Sequence, residues 1–198
     1  MIKQEVMQLA GQHRVKLFVS TVLHDLAKNP DKARRYGINT ICFHFNCFLN
    51  QEADVGIVLI DTFNEGDLRE IIREKWAVGV KNLPYSKTMR LTRILGYHVA
   101  MIGGSHLCSL TDIVLGALGF AINNRDDEAR TPIVTAIMKQ LSPLFLKCGD
   151  GDVSELSLFF SPKVVTAPPF LARYEFLQDF FREHGLPPAQ SIISSAIY

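Results

Sequence analysis

The stretch "DVGIVLIDTF" restricts the fold of this chain more than any other. Ile57, Val58, Leu59 and Ile60 run without a polar interruption and stop at Asp61. A continuous apolar run this short suits a strand covered on both faces, as in a partly parallel sheet flanked by helices. Its neighbours fit that arrangement. Upstream, in "INTICFHFNCFLN", Ile38, Ile41, Cys42, Phe45, Phe48 and Leu49 recur at helical spacing, with His44 on the other side. Downstream, "NEGDLREIIREKW" reads as a helix with acids in its first turn, where the helix dipole favours them. "VKLFVSTVL" and "YHVAMI" read as further strands. Strands alternating with helices imply an α/β layer structure.

The remaining segments read as follows. "IKQEVMQLAGQH" is a helix with Ile2, Val6 and Leu9 on one face, and "KNPDKARRYG" is a polar, basic connection. Val80 to Gly96 has no clear period and reads as a long surface loop with a short helix at "TMRLTRIL". "GGS" is the exit turn of "YHVAMI", and the helix opening "HLCSLTDIVLGALGF" runs to about Asn123. "TPIVTAIMKQLSPLFLK" opens with Thr131 as N-cap and Pro132 at the first helical position, and Pro143 ends it. Cys148 to Pro169 reads as irregular. The last helix, "FLARYEFLQDFFREH", puts Phe170, Tyr174, Leu177 and Phe181 on one face and stops at Gly185 and Pro187. With no repeat, low-complexity tract or dividing linker, the expected organisation is one α/β domain over residues 1–198, with a helical C-terminal part from 126.

Composition narrows the function classes. A net charge of +1 excludes binding driven by total charge, so any nucleic-acid surface must come from local clustering. No apolar run reaches the roughly 18 residues of a membrane span. The opening "MIKQEVMQLAGQHR" carries Gln and Glu too early for a signal peptide's apolar core. Cys42, Cys47, Cys108 and Cys148 form no Cys-x-x-Cys pair, which points to a reduced, cytoplasmic protein without a membrane partner.

Two acids stand out. Asp61 follows an apolar strand, and ligands gather at the carboxyl ends of strands in open α/β sheets. The alternative is a cap or turn residue. Asp112 is the only acid between Lys75 and Arg125, a stretch with six basic residues. Ser109 and Asp112 have the Ser-x-x-Asp spacing of a capping box. Helical spacing also aligns Ser105, Ser109 or Cys108, Asp112, Gly116 and Gly119 on one small-residue face, which lets a strand end approach closely. If Asp61 and Asp112 meet, they repel unless a cation lies between them, and Mg²⁺ or Mn²⁺ is the natural ion. The basic stretch from Lys81 to Arg93, which holds Lys87 and Arg90 and has Tyr85 inside it, either tracks a phosphate backbone or forms a solvated loop. "CFHFNC" does not converge as a zinc site on a helix. "GDGD" lacks the rest of a calcium loop, and no Ser/His/Asp set can be singled out.

The order "VKLFVSTVL", "GIVLID", a basic stretch, "HVAMIGGS" and "LCSLTDIVLGAL" resembles the bacterial domain of unknown function 3800 family. That family has an apolar strand ending in Asp, a later strand ending in Asp-Ser or similar, and then a helix reading Leu-Gln-Leu-Ala-Asp-Leu-Val-Ala-Gly. Asp61 matches the strand Asp, Asp112 the helix Asp, and Ser105 the Ser before the helix, over roughly Val15 to Arg125. Ser109 stands for the motif Gln and Thr111 for its Ala.

The resemblance implies a ribonuclease H-like mixed sheet flanked by helices and metal-dependent phosphodiester hydrolysis, as in nucleases. It implies Asp61 and Asp112 as catalytic metal ligands for Mg²⁺ or Mn²⁺, with Ser105 beside them at the substrate; Ser109 and the basic Lys87, Arg90 and Arg93 are the further candidates for contacting that substrate, with nucleic acid as partner. The family opens with an Asp-Glu-Ser strand, whereas here only Glu5 precedes His24. The expectation is therefore an N-terminally shortened domain with a reduced site, in which self-association or a partner segment covers the missing strand. The alternative is a non-catalytic protein- or nucleic-acid-interaction module of the same fold.

Overall fold

The computed structural model describes residues 2–27, 29–62, 65–83, 87–101 and 103–194. The chain is mixed α/β, with helices flanking small sheets. It divides into two compact units. Unit 1 is Met1–Lys28 with Leu110–Tyr198, and unit 2 is Asn29–Ser109. Among the described residues the strands pair two by two.

Unit 2 opens with α2 (Pro30–Gln51), following α1 (Ile2–Gln12) and β1 (Val19–Val22) of unit 1. Asn29 Oδ1 accepts from Lys32 N at 3.0 Å and Pro30 sits in the first turn, so the expected polar connection is helix from Pro30 onward. Cys42 and Leu49 of α2 are buried with Val80, Leu91 and Ile94. His44 is buried too, contrary to its expected outer position. β2 (Gly56–Asp61) runs parallel to β5 (Ile94–Ala100), as the apolar run implied. It is not covered on both faces, since Ile57 is exposed. β2 lies close on α2: a Cβ at Gly56 would sit 2.7 Å from Phe45 Cζ. After α3 (Glu65–Ala77), β3 (Val80–Leu83) and β4 (Lys87–Met89) form an antiparallel pair. The expected loop and short helix are thus a hairpin, and Tyr85 lies outside the described residues.

Unit 1 holds the larger core. Its sheet pairs β1 with β6 (Leu158–Ser161) in parallel, extended by a bridge between Leu17 and Phe145. β6 lies inside the segment read as irregular. α4 (His106–Asn123) buries Val114, Leu118 and Ala121 in this core. α4 is also the one described helix whose length and composition would allow it to cross a membrane. α5 (Thr131–Leu141) ends before Pro143, as expected. Its N-cap is Arg130 rather than Thr131, and Thr131 Oγ1 donates to Asp127 O instead. α6 (Pro168–Glu183) buries Tyr174, Leu177 and Phe181 as its spacing predicted. Phe160 packs edge-on against Tyr174 and Phe181.

Polar side chains close the ends of this sheet. The Tyr174 hydroxyl donates to Ser161 O and accepts from Leu23 N. The buried Gln190 amide pairs with Phe160 as a strand would, accepting from its N at 2.7 Å and donating to its O at 2.8 Å. Ser157 Oγ donates to Leu17 O at 2.5 Å and accepts from Leu146 N at 2.9 Å.

Candidate functional site

Asp61 is the last residue of β2 and stands in register with Ala100 at the end of β5. Because the two strands are parallel, both carboxyl ends lie at one edge of the unit 2 sheet. Thr62 fixes that edge, its N and Oγ1 each donating to Ala100 O at 3.1 Å. Asp61 itself is exposed. It has no hydrogen-bond or ion-pair partner among the described residues, so the turn-fixing role falls to Thr62 rather than to Asp61.

A short turn leads from β5 to α4. The helix is capped by Ser105, whose Oγ accepts from Cys108 N at 3.4 Å. Ser109 braces the same turn, donating to Ser105 O at 3.1 Å and accepting from Gly103 N at 3.4 Å. The cap thus lies one turn earlier than the Ser109–Asp112 spacing implied. Both serines are engaged with the backbone of the helix start, so their first role is to fix its direction.

Asp112 follows one turn after Ser109 on the same continuous helix. It is the only Asp, Glu, Lys or Arg in α4. It is exposed, caps nothing and pairs with nothing among the described residues. Its surroundings in unit 1 are apolar: a groove of about 500 Å³ lined by Asp112, Met7, Ile113, Phe120, Ile133 and Ile137, among others. Asp61 and Asp112 fall in different units, one to each.

The basic candidates differ in how far they are tied down. Lys87 opens β4, but its side chain lies outside the described ones. Arg93 is held against α2, its N donating to Asn46 Oδ1 at 3.0 Å and its Nε to Asn50 Oδ1 at 3.4 Å. Arg90 is exposed and has no partner among the described residues.

Sequence reasoning missed a charged network on α3. Lys75 is only 2% exposed. Its Nζ donates to Glu74 Oε1 at 2.8 Å and to Gly79 O at 3.0 Å. Arg35 reaches Glu74 Oε2 at 2.8 Å and Glu70 Oε1 at 3.0 Å. Burial alone would raise the Glu74 pKa, but the hydrogen bonds from Lys75 and Arg35 outweigh it and hold the carboxyl below its ordinary value. Nearby, burial pushes the Cys42 thiol up to about 11, against the opposing charge of Lys75, so Cys42 stays protonated. Nothing in "REKWAVGV" signals this network, because it depends on α2 lying alongside α3.

The donors suit a hard divalent ion in kind. Mg²⁺ takes one or two carboxylates and fills its shell with water and substrate phosphates. Among the described residues no cluster of three or more His, Cys, Asp or Glu could hold a metal ion on its own. Asp61 and Asp112 are each a carboxylate without a partner among the described residues, which suits either of them, taken singly, to an ion that keeps water and substrate ligands. No family model, curated protein or solved structure matches the chain.

Proposed function

We propose that the chain is a metal-dependent phosphodiester hydrolase of the nuclease kind, ribonuclease H-like in fold and related to the domain of unknown function 3800 family. The observation that carries this reading is the state of Asp112. An apolar helix that is already capped by Ser105 carries one carboxylate, exposed and without a partner. A carboxylate with no structural task on such a helix is free to take a ligand. Asp61, at the carboxyl end of β2, is equally free. That the two acids serve one ion comes from the resemblance.

When bound, Mg²⁺ or Mn²⁺ supplies a water of lowered pKa and positive charge against the phosphate oxygens. Asp61 and Asp112 would hold it through carboxylate oxygens. Ser105 and Ser109 act as positioning residues that fix the start of α4 and hence the direction of Asp112. Arg93, pinned to α2, and the free Arg90 offer guanidinium groups to phosphates. All four cysteines are free thiols, which suits a reducing, cytoplasmic setting.

Cleavage of labelled single- and double-stranded oligonucleotides with Mn²⁺ or Mg²⁺ tests the reading. Hydrolysis is expected to need the ion, and Asp112→Asn is expected to lower its rate at least about tenfold. Asn keeps the hydrogen-bonding capacity of an exposed site, so the fold should survive. Binding of nucleic acid without cleavage under any divalent ion would leave a non-catalytic interaction module in place of the enzyme.

A further inference from the structure

Unit 2 contains a cavity of about 290 Å³ beside the Arg90 already offered to phosphates. Trp76 and Leu95 form exposed apolar walls, with Trp76 67% exposed. Lys75, Arg90, Thr92 and Tyr97 add polar groups. The Tyr97 hydroxyl is buried and has no hydrogen-bond partner among the described residues. Burial pushes this phenol well above its ordinary pKa, and the neighbouring Cys42 adds to the shift, so the hydroxyl keeps its proton. Lys75 is neutralised by Glu74, and two of its three donor positions are filled. Arg90 is therefore the cation of this cavity with no acidic partner among the described residues.

We propose that this cavity binds a nucleotide unit, its base stacked on Trp76, its phosphate on Arg90, and a polar group of the base bonded to the Tyr97 hydroxyl. Three separate oddities find one explanation. An indole left two-thirds in water is a flat platform on which any base can stack. A free guanidinium matches a phosphate in charge and geometry. A buried hydroxyl without a partner is costly in the free protein, and a ligand that satisfies it removes that cost. The size lies at the lower edge of the roughly 300–1,000 Å³ of ligand pockets, which suits one nucleotide unit rather than a longer ligand enclosed whole. The choice of a nucleotide over another aromatic anion rests on the phosphodiester reading.

Trp76 is the only tryptophan, so its fluorescence reports this cavity alone. The protein is titrated with thymidine monophosphate and with a short deoxythymidine oligonucleotide, in chelator and without divalent ions. Quenching by both assigns the cavity to a nucleotide unit from any source. Quenching by the oligonucleotide alone assigns it to a strand. Anisotropy of a fluorescein-labelled oligonucleotide then follows the variants. Trp76→Ala is expected to weaken binding about tenfold. Arg90→Ala should weaken it and lower the salt slope by about one. Tyr97→Phe should weaken binding without lowering the melting temperature of the free protein, which a merely structural hydroxyl would not do. Absence of quenching overturns the proposal, as does unchanged binding in both Trp76→Ala and Arg90→Ala. Quenching needs no metal, so a protein that binds here yet never cleaves refutes the hydrolase reading alone. One that cleaves without quenching refutes this site alone.

Discussion

Gly79→Ala is expected to destabilise the protein by about 2–5 kcal/mol, the largest effect of any conservative substitution considered for unit 2. Gly79 has φ +94°, which an L side chain rarely adopts, at a cost of about 1–2 kcal/mol. A Cβ there would also sit 2.0 Å from Met89 O and 2.9 Å from Arg90 Cα. Both are backbone atoms and cannot rotate away, so the β3–β4 pair must shift, and overpacking of this kind costs about 1–3 kcal/mol. The shift would also disturb the Gly79 carbonyl that accepts from the buried Lys75. Gly103→Ala separates the two causes. Gly103 has φ +87° with nothing within 4 Å of a Cβ, so it should show the backbone cost alone. Urea denaturation of both variants measures the difference. Equal costs at the two positions would remove the clash from the argument.

Gln190→Leu is the second large effect, at about 2–6 kcal/mol. The side chain is 1% exposed and supplies both partners of Phe160 on the side of β6 away from β1. Leucine is close in volume, so packing changes little. It leaves a buried N–H and a buried C=O unpaired, each costing about 1–3 kcal/mol. Gln190→Glu offers a finer check. A carboxylate accepts from Phe160 N but faces Phe160 O without a proton to donate. Protonation restores that donor, so the penalty in Gln190→Glu should shrink as pH falls, while Gln190→Leu shows no such gain.

These two positions also show where the sequence was legible. "GIVLID" and "VKLFVSTVL" are short, apolar and bounded, and strands lie within both. The final helix was readable because its apolar residues follow one face. β6 was not readable, because "SELSLFFSPKVV" has polar residues on either side of four strand residues. Its partners are β1 and Gln190, the latter some 30 residues away in the chain, and no local pattern encodes either. The β3–β4 hairpin was hidden for a similar reason. "VKNLPYSKTM" alternates poorly, and Gly79, whose conformation directs the turn into β3, looks like an ordinary loop glycine. The start of α2 was hidden by its charges, although Asn29 and Pro30 are a regular helix opening.

The hydrogen-bonding tasks around Asp112 were not legible in the sequence. Sequence spacing offered Ser109 and Asp112 as a capping box. In the folded chain Ser105 takes the cap one turn earlier, and Asp112 has no hydrogen-bond or ion-pair partner among the described residues. Trp76 and Tyr97 carried no signal at all, since their cavity forms only where α3 and β5 meet the turn at Arg90.

The proposed function rests on Asp61 and Asp112 as oxygen donors to Mg²⁺ or Mn²⁺. Mn²⁺ binding followed by electron paramagnetic resonance, with and without an oligonucleotide, tests it most directly. Binding to the wild type is expected to tighten when the oligonucleotide is present, because substrate phosphates complete the shell. Asp61→Asn and Asp112→Asn should each weaken it at least about tenfold, while Asp150→Asn, at an exposed turn, should leave it unchanged. Equal Mn²⁺ binding in the wild type, Asp61→Asn and Asp112→Asn would contradict the account.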